Sequence, residues 1–296
     1  MNQNRFFKYL TVSKENRKWG LYITGAGHIK VGKNVNYPLI DEPTHHYFHW
    51  SKGRRLGKYQ ILYITKGRGL FESEVSPMQK VNAGDIFILF PGIWHRFKSD
   101  KSTGWNEFWV EFNGDLMQHF RKENFLNPKK PVQKIGVHES IVENYFHIID
   151  LIKEEKPGYQ YLVSGKLMNI LGEIFATIKY QPFEGKMIEN QIKEAKLRIY
   201  ENMHTTISQE EIAKNIGLGY SLYRKKFKEY TGVSPAQYQI NLRIHKAKVL
   251  LISTNQPLKE IALNLGFYSP NYFYRIFKQK TCLTPSEYRQ KKRKYL

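Results

Sequence analysis

The segment EIAKNIG at 211–217 returns as EIALNLG at 260–266, and each copy runs into a short basic, aromatic stretch with a nearly identical tail. An offset of 49 superimposes Glu211 on Glu260, Ile212 on Ile261, Ala213 on Ala262, Asn215 on Asn264 and Gly217 on Gly266. Past the glycine the offset is 50, pairing Phe227 with Phe277, Lys228 with Lys278, Thr231 with Thr281, Pro235 with Pro285 and Tyr238 with Tyr288. A period of this length can mark a solenoid, but a solenoid needs three or more units to bury a continuous core, and only two are present. Two copies of helix, glycine turn and basic helix instead make a twinned helix-turn-helix. The copies are unequal: the first is one residue shorter at its turn and sets four cations in the five positions from Arg224 to Lys228.

Charge agrees with a bipartite reader of a polyanion. The formal net charge is +21, and the stretch from Ile188 to the end holds 20 Lys and Arg against 8 Asp and Glu. Such an excess points to nucleic acid or an anionic membrane surface. No apolar run approaches the roughly 20 residues of a membrane span, the first ten residues lack the apolar core of a signal peptide, and no lipidation motif accompanies the basic tail KKRKYL. The single cysteine, Cys282, excludes an internal disulfide and a multi-thiolate zinc site. A soluble cytoplasmic protein that does not associate with membranes is expected.

The 296 residues, 41% hydrophobic, suffice for two cores. From Trp19 to Glu111 the runs LYITGAGHI, YQILYITKGRGLFE, GDIFILFPG and WNEFWVEFNG, separated by Gly, Pro and Asp turns, predict a β-sandwich or barrel. Helical periodicity follows. Ile141, Tyr145, Ile148, Ile149 and Ile152 form one stripe; Leu162, Leu167, Ile170, Leu171, Ile174, Phe175 and Ile178 form another, with Pro157-Gly158 between them. The stripes either pack on the barrel or make a dimer interface. QPFEGK at 181–186 reads as linker. The expectation is therefore an α+β chain: a β-barrel or sandwich over 1–138, a helical packing or dimerisation segment over 139–180, a linker over 181–189, and an all-α domain over 190–296 with two helix-turn-helix motifs joined by a long helix.

In the first copy Ser208 to Glu211 has the spacing of a capping box, and a second helix from about Gly219 to Tyr230 turns Tyr223, Phe227 and Tyr230 inward. Tyr220, Ser221, Arg224, Lys225 and Lys228 are left outside. In the second copy Ser269 and Pro270 supply an N-cap and a proline at the first helical position. Phe273, Ile276, Phe277 and Lys280 form the inward stripe, leaving Asn271, Tyr274, Arg275 and Lys278, with Ser269 at the cap, as the candidate DNA contacts of this copy. A recognition helix enters the major groove with its N-terminal turns toward base edges. Arg binds guanine bidentately and Asn binds adenine the same way, so Arg224, Arg275 and Asn271 are the candidates for base reading. Lys225, Lys228 and Lys278 are candidates for phosphate contact. Taken singly, each cation is as well explained as a solvated helix face; it is the matched pair of basic helices that argues for DNA. Between them, Ser234-Pro235 opens a long helix to about Thr254 that can hold the two readers roughly 34 Å apart, one turn of DNA.

Residues 190–293 resemble the AraC/XylS transcription regulators, most specifically EIALNLGFYSPNYFYRIFKQKTCLTPSEYR at 260–289 and FKEYTGVSPAQYQINLRIHKAKVLL at 227–251. The resemblance implies two helix-turn-helices on asymmetric half-sites of double-stranded DNA, activation through contact with RNA polymerase, a homodimer, and an N-terminal sensor domain for a small molecule. Three positions depart from the family pattern. Gly219 stands at a usual Ser cap, Cys282 at a usual helix-ending Gly, and Lys226 at the position matching apolar Ile276.

GDIFILFPGIWH, ending at His95, resembles the second motif of cupin barrels. The strand matching the first motif carries no histidine, so no resident metal, no cofactor and no catalysis are expected; were a metal present, His45, His46 and His95 would be its ligands. Trp94, His95, Arg96, Trp105, Glu107 and Trp109, with His45 and His46, are the candidate effector-binding residues, an aromatic and polar set suited to a sugar. Core packing accounts for the tryptophans almost as well. Arg54, Arg55, Lys58, Lys66 and Arg68 read as a solvated basic face or as helpers to DNA or an anionic ligand. The competing function is a metal-dependent cupin enzyme with an appended nucleic-acid module. Alkyl transfer to Cys282 is a third reading, disfavoured because no proton acceptor lies near it in sequence.

Overall fold

The computed structural model describes residues 5–37, 48–205 and 207–293. The chain separates into two compact units, 1–179 and 180–296.

Among the described residues the first unit contains eight strands and four helices: β1 (Arg5–Tyr9), α1 (Lys14–Lys18), β2 (Tyr22–Val31), β3 (Tyr59–Ser73), β4 (Ser76–Asn82), β5 (Asp85–Leu89), β6 (His95–Ser99), β7 (Trp105–Asn113), α2 (Asp115–Lys122), β8 (Val132–Lys134), α3 (Glu139–Glu154) and α4 (Tyr159–Tyr180). The strands run in the order β1-β2-β7-β3-β5-β8, with β4 and β6 also paired to β3, and every pairing is antiparallel. β3 belongs to both layers. Its first half pairs with β7 and β5; its second half, beyond a register shift between Ile64 and Lys66, pairs with β4 and β6. Near that shift Gly67 has φ 82°, and a Cβ there would meet the Gly104 carbonyl oxygen at 2.1 Å, so only glycine lets the strand lie this close.

Alternation along the strands feeds two cores. Ile61, Tyr63, Phe108, Val110 and Phe112 face the helix layer and pack with Ile141, Tyr145, Ile148, Leu167, Ile170 and Ile174. Leu62, Ile64, Phe71, Phe87, Phe97, Trp105 and Trp109 face the barrel interior. Burial of both faces explains why β3 and β7 read as near-continuous apolar runs. The helix layer therefore packs on the sheet, α3 through all five expected apolar residues. One residue departs from the expected stripe: Leu162 is exposed, because Gln160, Val163, Ser164 and Leu167 set the inward face of α4.

The second unit is all helical: α5 (Met187–Glu201), α6 (Gln209–Asn215), α7 (Tyr220–Thr231), α8 (Pro235–Ser253), α9 (Leu258–Asn264), α10 (Pro270–Thr281) and α11 (Pro285–Arg293). The expected linker is shorter and more anchored than its composition suggests. α5 already begins at Met187, and Phe183 is buried, edge-on to Tyr230 at 5.0 Å. The sequence repeat appears as repeated packing. Phe227 meets Tyr238 at 5.4 Å, and Phe277 meets Tyr288 at the same distance; the Thr231 and Thr281 hydroxyls each donate to a phenylalanine carbonyl four residues back at 2.8 Å. α8 serves both cores, Tyr238 and Leu242 in the first and Ile244, Ala247 and Leu251 in the second. Among the described residues no helix is long and apolar enough to cross a membrane.

Candidate functional site

In the first helix-turn-helix, the Ser208 hydroxyl accepts the Glu211 amide at 3.1 Å. Among the described residues Glu211 makes no return bond, so the expected capping box is half formed. Gly217 supplies the turn with φ 72°. Tyr223 and Phe227 are buried, while Ser221, Arg224, Lys225 and Lys228 are exposed and Tyr220 is half-buried. α7 starts at Gly219 without a side-chain cap. Lys226, at the position of an apolar residue, lays its stem toward the core and closes a salt bridge to Glu229 at 2.7 Å.

In the second copy Asn271, Arg275 and Lys278 are exposed and Tyr274 is half-buried. Lys280 is exposed rather than on the inward stripe, because buried Phe273 and Phe277, with half-buried Ile276 beside them, fill the core face of α10. The Ser269 hydroxyl accepts the Tyr272 amide at 3.2 Å, so this candidate contact is engaged as an N-cap. Both candidate base-reading arginines are splinted by an aromatic ring on their own helix. The Arg224 guanidinium lies 5.6 Å from the Tyr220 ring, and that of Arg275 5.5 Å from the Tyr272 ring. Tyr272 was not singled out from sequence, although its spacing three residues before Arg275 is the helical signal for such a contact. Among the described residues none of Arg224, Lys225, Lys228, Arg275 and Lys278 forms a salt bridge. Ser221, Arg224, Lys225 and Lys228 line one side of a shallow groove, opposite Gly232, Val233, Ser234 and Gln237 where α8 begins. Bare cations beside a helix N-terminus are a setting for phosphate.

In the first unit the structure divides the candidate effector residues. His45 and His46 lie outside the described residues. On β6 the alternation sends His95 into the barrel and Arg96 outward. Arg96 binds Glu72 at 2.6 Å and lies 4.6 Å from the Trp50 ring; Trp94 gives its indole N–H to the Lys52 carbonyl at 2.7 Å. Trp94 and Arg96 therefore belong to an outer cluster, away from the interior group of His95, Trp105, Glu107 and Trp109. Trp105 is a core residue at 1% exposure whose indole N–H has no acceptor among the described residues.

The interior polar group is built around Arg54, one of the five basic residues expected on a solvated face or as helpers to DNA or an anionic ligand. Its Nε donates to His95 Nε2 at 3.3 Å, its terminal nitrogen to Gln60 at 3.4 Å, and its guanidinium lies 4.8 Å from the Phe48 ring. His95 donates from Nδ1 to the Ile93 carbonyl at 3.0 Å. Burial, reinforced by the Arg54 charge, pushes the His95 pKa down to about 3 and keeps the ring neutral. Across the cleft the Tyr37 hydroxyl donates to both oxygens of Glu107 at 3.1 Å, and Glu107 is 1% exposed. Arg54, Gln60, Tyr37, Glu107 and Trp109 line one narrow cleft. Fixed polar groups against aromatic walls are the usual make-up of a small-molecule site. Of the other four basic residues, three are engaged elsewhere, Arg55 with Glu74, Lys58 with Glu111 and Arg68 with Asp100, and Lys66 is exposed. Among the described residues no three His, Cys, Asp or Glu side chains gather as a metal site. Cys282 is exposed at the end of α10.

Comparison with known proteins matches both units. An AraC-like ligand binding domain matches residues 39–171, and a helix-turn-helix domain matches residues 212–291. The chain is 24% identical over 282 residues to the MmsAB operon regulatory protein of Pseudomonas aeruginosa, covering 92% of this chain and 84% of that protein. It is 26% identical to the lactose operon transcription activator of Staphylococcus xylosus, over 76% of this chain and 81% of the relative. It is also 26% identical to the raffinose operon transcriptional regulatory protein of Pediococcus pentosaceus, over 78% and 84%.

Proposed function

The chain belongs to the AraC/XylS family of DNA-binding transcription regulators, and on that premise we propose that it is a sugar-responsive activator that reads two adjacent major grooves of one operator. The observation that carries the reading is the pair of matched recognition helices, α7 and α10, each presenting unpaired cations and an aromatic-splinted arginine, joined by the 19-residue α8. At 1.5 Å per residue α8 is about 28 Å long, comparable to one DNA turn of roughly 34 Å. Arg224, Arg275 and Asn271 read base edges, while Lys225, Lys228 and Lys278 neutralise phosphates.

The effector site in this reading is the cleft around Arg54 and Glu107, whose 20 Å³ must widen to admit a sugar. A carboxylate and a guanidinium fixed beside Trp109 offer an acceptor and donors to hydroxyls and a face to a sugar ring, with the buried His95 imidazole holding Arg54 in place. Two relatives named for the lactose and raffinose operons support a sugar as the ligand class. The chain acts as a homodimer through the outer face of α4, where Leu162 is 59% exposed, and its activating partner is RNA polymerase.

Selection of bound duplexes from a random pool by the full chain tests the DNA reading. One split motif should emerge, with affinity falling steeply as salt rises. A thermal-shift screen against mono- and oligosaccharides, with organic acids as controls, tests the effector. Stabilisation by acids alone contradicts the sugar assignment.

A further inference from the structure

Between the turn glycine and the recognition helix the second copy has Phe267, Tyr268 and Ser269 where the first has Leu218 and Gly219. The additional residue is held at both ends. Phe267 is buried against Phe273 at 5.0 Å and lies 5.7 Å from the Arg243 guanidinium. Ser269 is fixed as the N-cap of α10. Tyr268 itself is 95% exposed, above every other exposed large apolar side chain among the described residues, and its hydroxyl has no partner among them.

A lone exposed aromatic on a surface is ordinary, so exposure does not carry the point; position does. Tyr268 directly precedes the first turn of α10, the end of a recognition helix that enters a groove. The chain there runs beside the phosphates that border it. No Asp or Glu lies between Glu260 and Glu287, so no carboxylate in this stretch opposes a phosphate beside Tyr268. Tyrosine contacts the DNA backbone through its hydroxyl on phosphate oxygen, with its ring over the sugar.

We infer that Tyr268 is a DNA-backbone contact made by the second reader alone, donating its hydroxyl to one phosphate at the border of the groove that α10 enters. This rests on the DNA-binding reading of the second unit. The contact fixes the register of α10 and compensates for the smaller number of cations on that helix relative to α7.

The test uses the full chain and a duplex selected by it, comparing Tyr268→Ala, Tyr268→Phe and Tyr268→Glu. Loss of one solvent-exposed hydrogen bond from an uncharged donor, with its ring contact, predicts about three- to tenfold weaker binding for Tyr268→Ala, with unchanged salt dependence and melting temperature. Tyr268→Phe should lose about two- to threefold, and Tyr268→Glu more than Tyr268→Ala. Phosphate-ethylation interference should lose a single signal under the second half-site in Tyr268→Ala. Wild-type affinity in Tyr268→Ala overturns the inference, even if Tyr268→Glu binds weakly, since that pattern reports repulsion without contact. If the unaltered chain selects no duplex, the DNA-binding reading itself fails, a result distinct from a Tyr268 variant that matches it.

Discussion

Cys282 ends α10 with φ 61°, in the left-handed region where an L side chain crowds its own carbonyl; its counterpart after α7 is Gly232 at φ 84°. The strain costs about 1 kcal/mol, partly offset by the greater freedom of glycine in the unfolded chain. Cys282→Gly should therefore stabilise the second unit by about 0.5 to 1 kcal/mol in urea unfolding followed by far-ultraviolet dichroism. A neutral or destabilising result would show that the turn favours cysteine for another reason. His95 makes a second prediction. Its folded pKa of about 3 lies below the 6.5 of a free imidazole, so the unfolded chain binds the extra proton as pH falls below 6.5. This contribution is intact above pH 6.5 and is lost progressively down to about 3. Between pH 7.5 and pH 5 it amounts to about 2 kcal/mol. All five tryptophans lie in the first unit, so indole fluorescence reports its unfolding. His95→Gln should show a shallower loss of stability over that interval, and parallel curves for the two proteins would refute the assignment. His95 stood out in the sequence as a candidate effector residue at the end of a cupin-like motif, but its partner Arg54 did not. Arg54 sits among Arg55, Lys58 and Lys66, and only the bridge that pairs it with His95 separates it from that group.

At the level of elements, what was legible in sequence was periodic. The matched helices, the Ser234-Pro235 start of α8, the α3 stripe and the four apolar strand runs all appear where their spacing places them. What was not legible was set by tertiary pairing. β4, with sequence SPMQKVN, and β6, HRFKS, have too few apolar residues to announce strands, and both exist by pairing with the second half of β3. The two readers should differ in kind. Arg275→Ala should cost about 1 to 3 kcal/mol on the selected site and relax preference at one base position, because it removes a bidentate contact. Lys228→Ala should weaken all duplexes to a similar extent and reduce the salt slope by about one unit. Competition binding against single-base variants separates these outcomes, and a uniform loss in Arg275→Ala would reassign that residue to phosphate.

Across the whole molecule, a sensor unit and a reading unit are joined in one chain, and an effector controls DNA binding only by favouring one of two conformations. Trp105→Ala is a poor probe of that control, since emptying a buried tryptophan site costs about 3 to 5 kcal/mol and disrupts the barrel. Glu107→Gln keeps the volume and removes the charge. It should abolish the sugar-dependent thermal shift while leaving DNA affinity without effector unchanged, and a retained shift would place the effector elsewhere. The claim that most depends on the paired architecture is that α7 and α10 occupy successive major grooves on one face of the duplex. Hydroxyl-radical footprinting on the selected site, with and without five base pairs inserted between the half-sites, tests it directly. Two protected patches about one helical turn apart are expected, with loss of one patch and a large fall in affinity when the insertion rotates the half-sites to opposite faces. Unchanged affinity on the lengthened duplex, or a single protected patch on the original one, would contradict it.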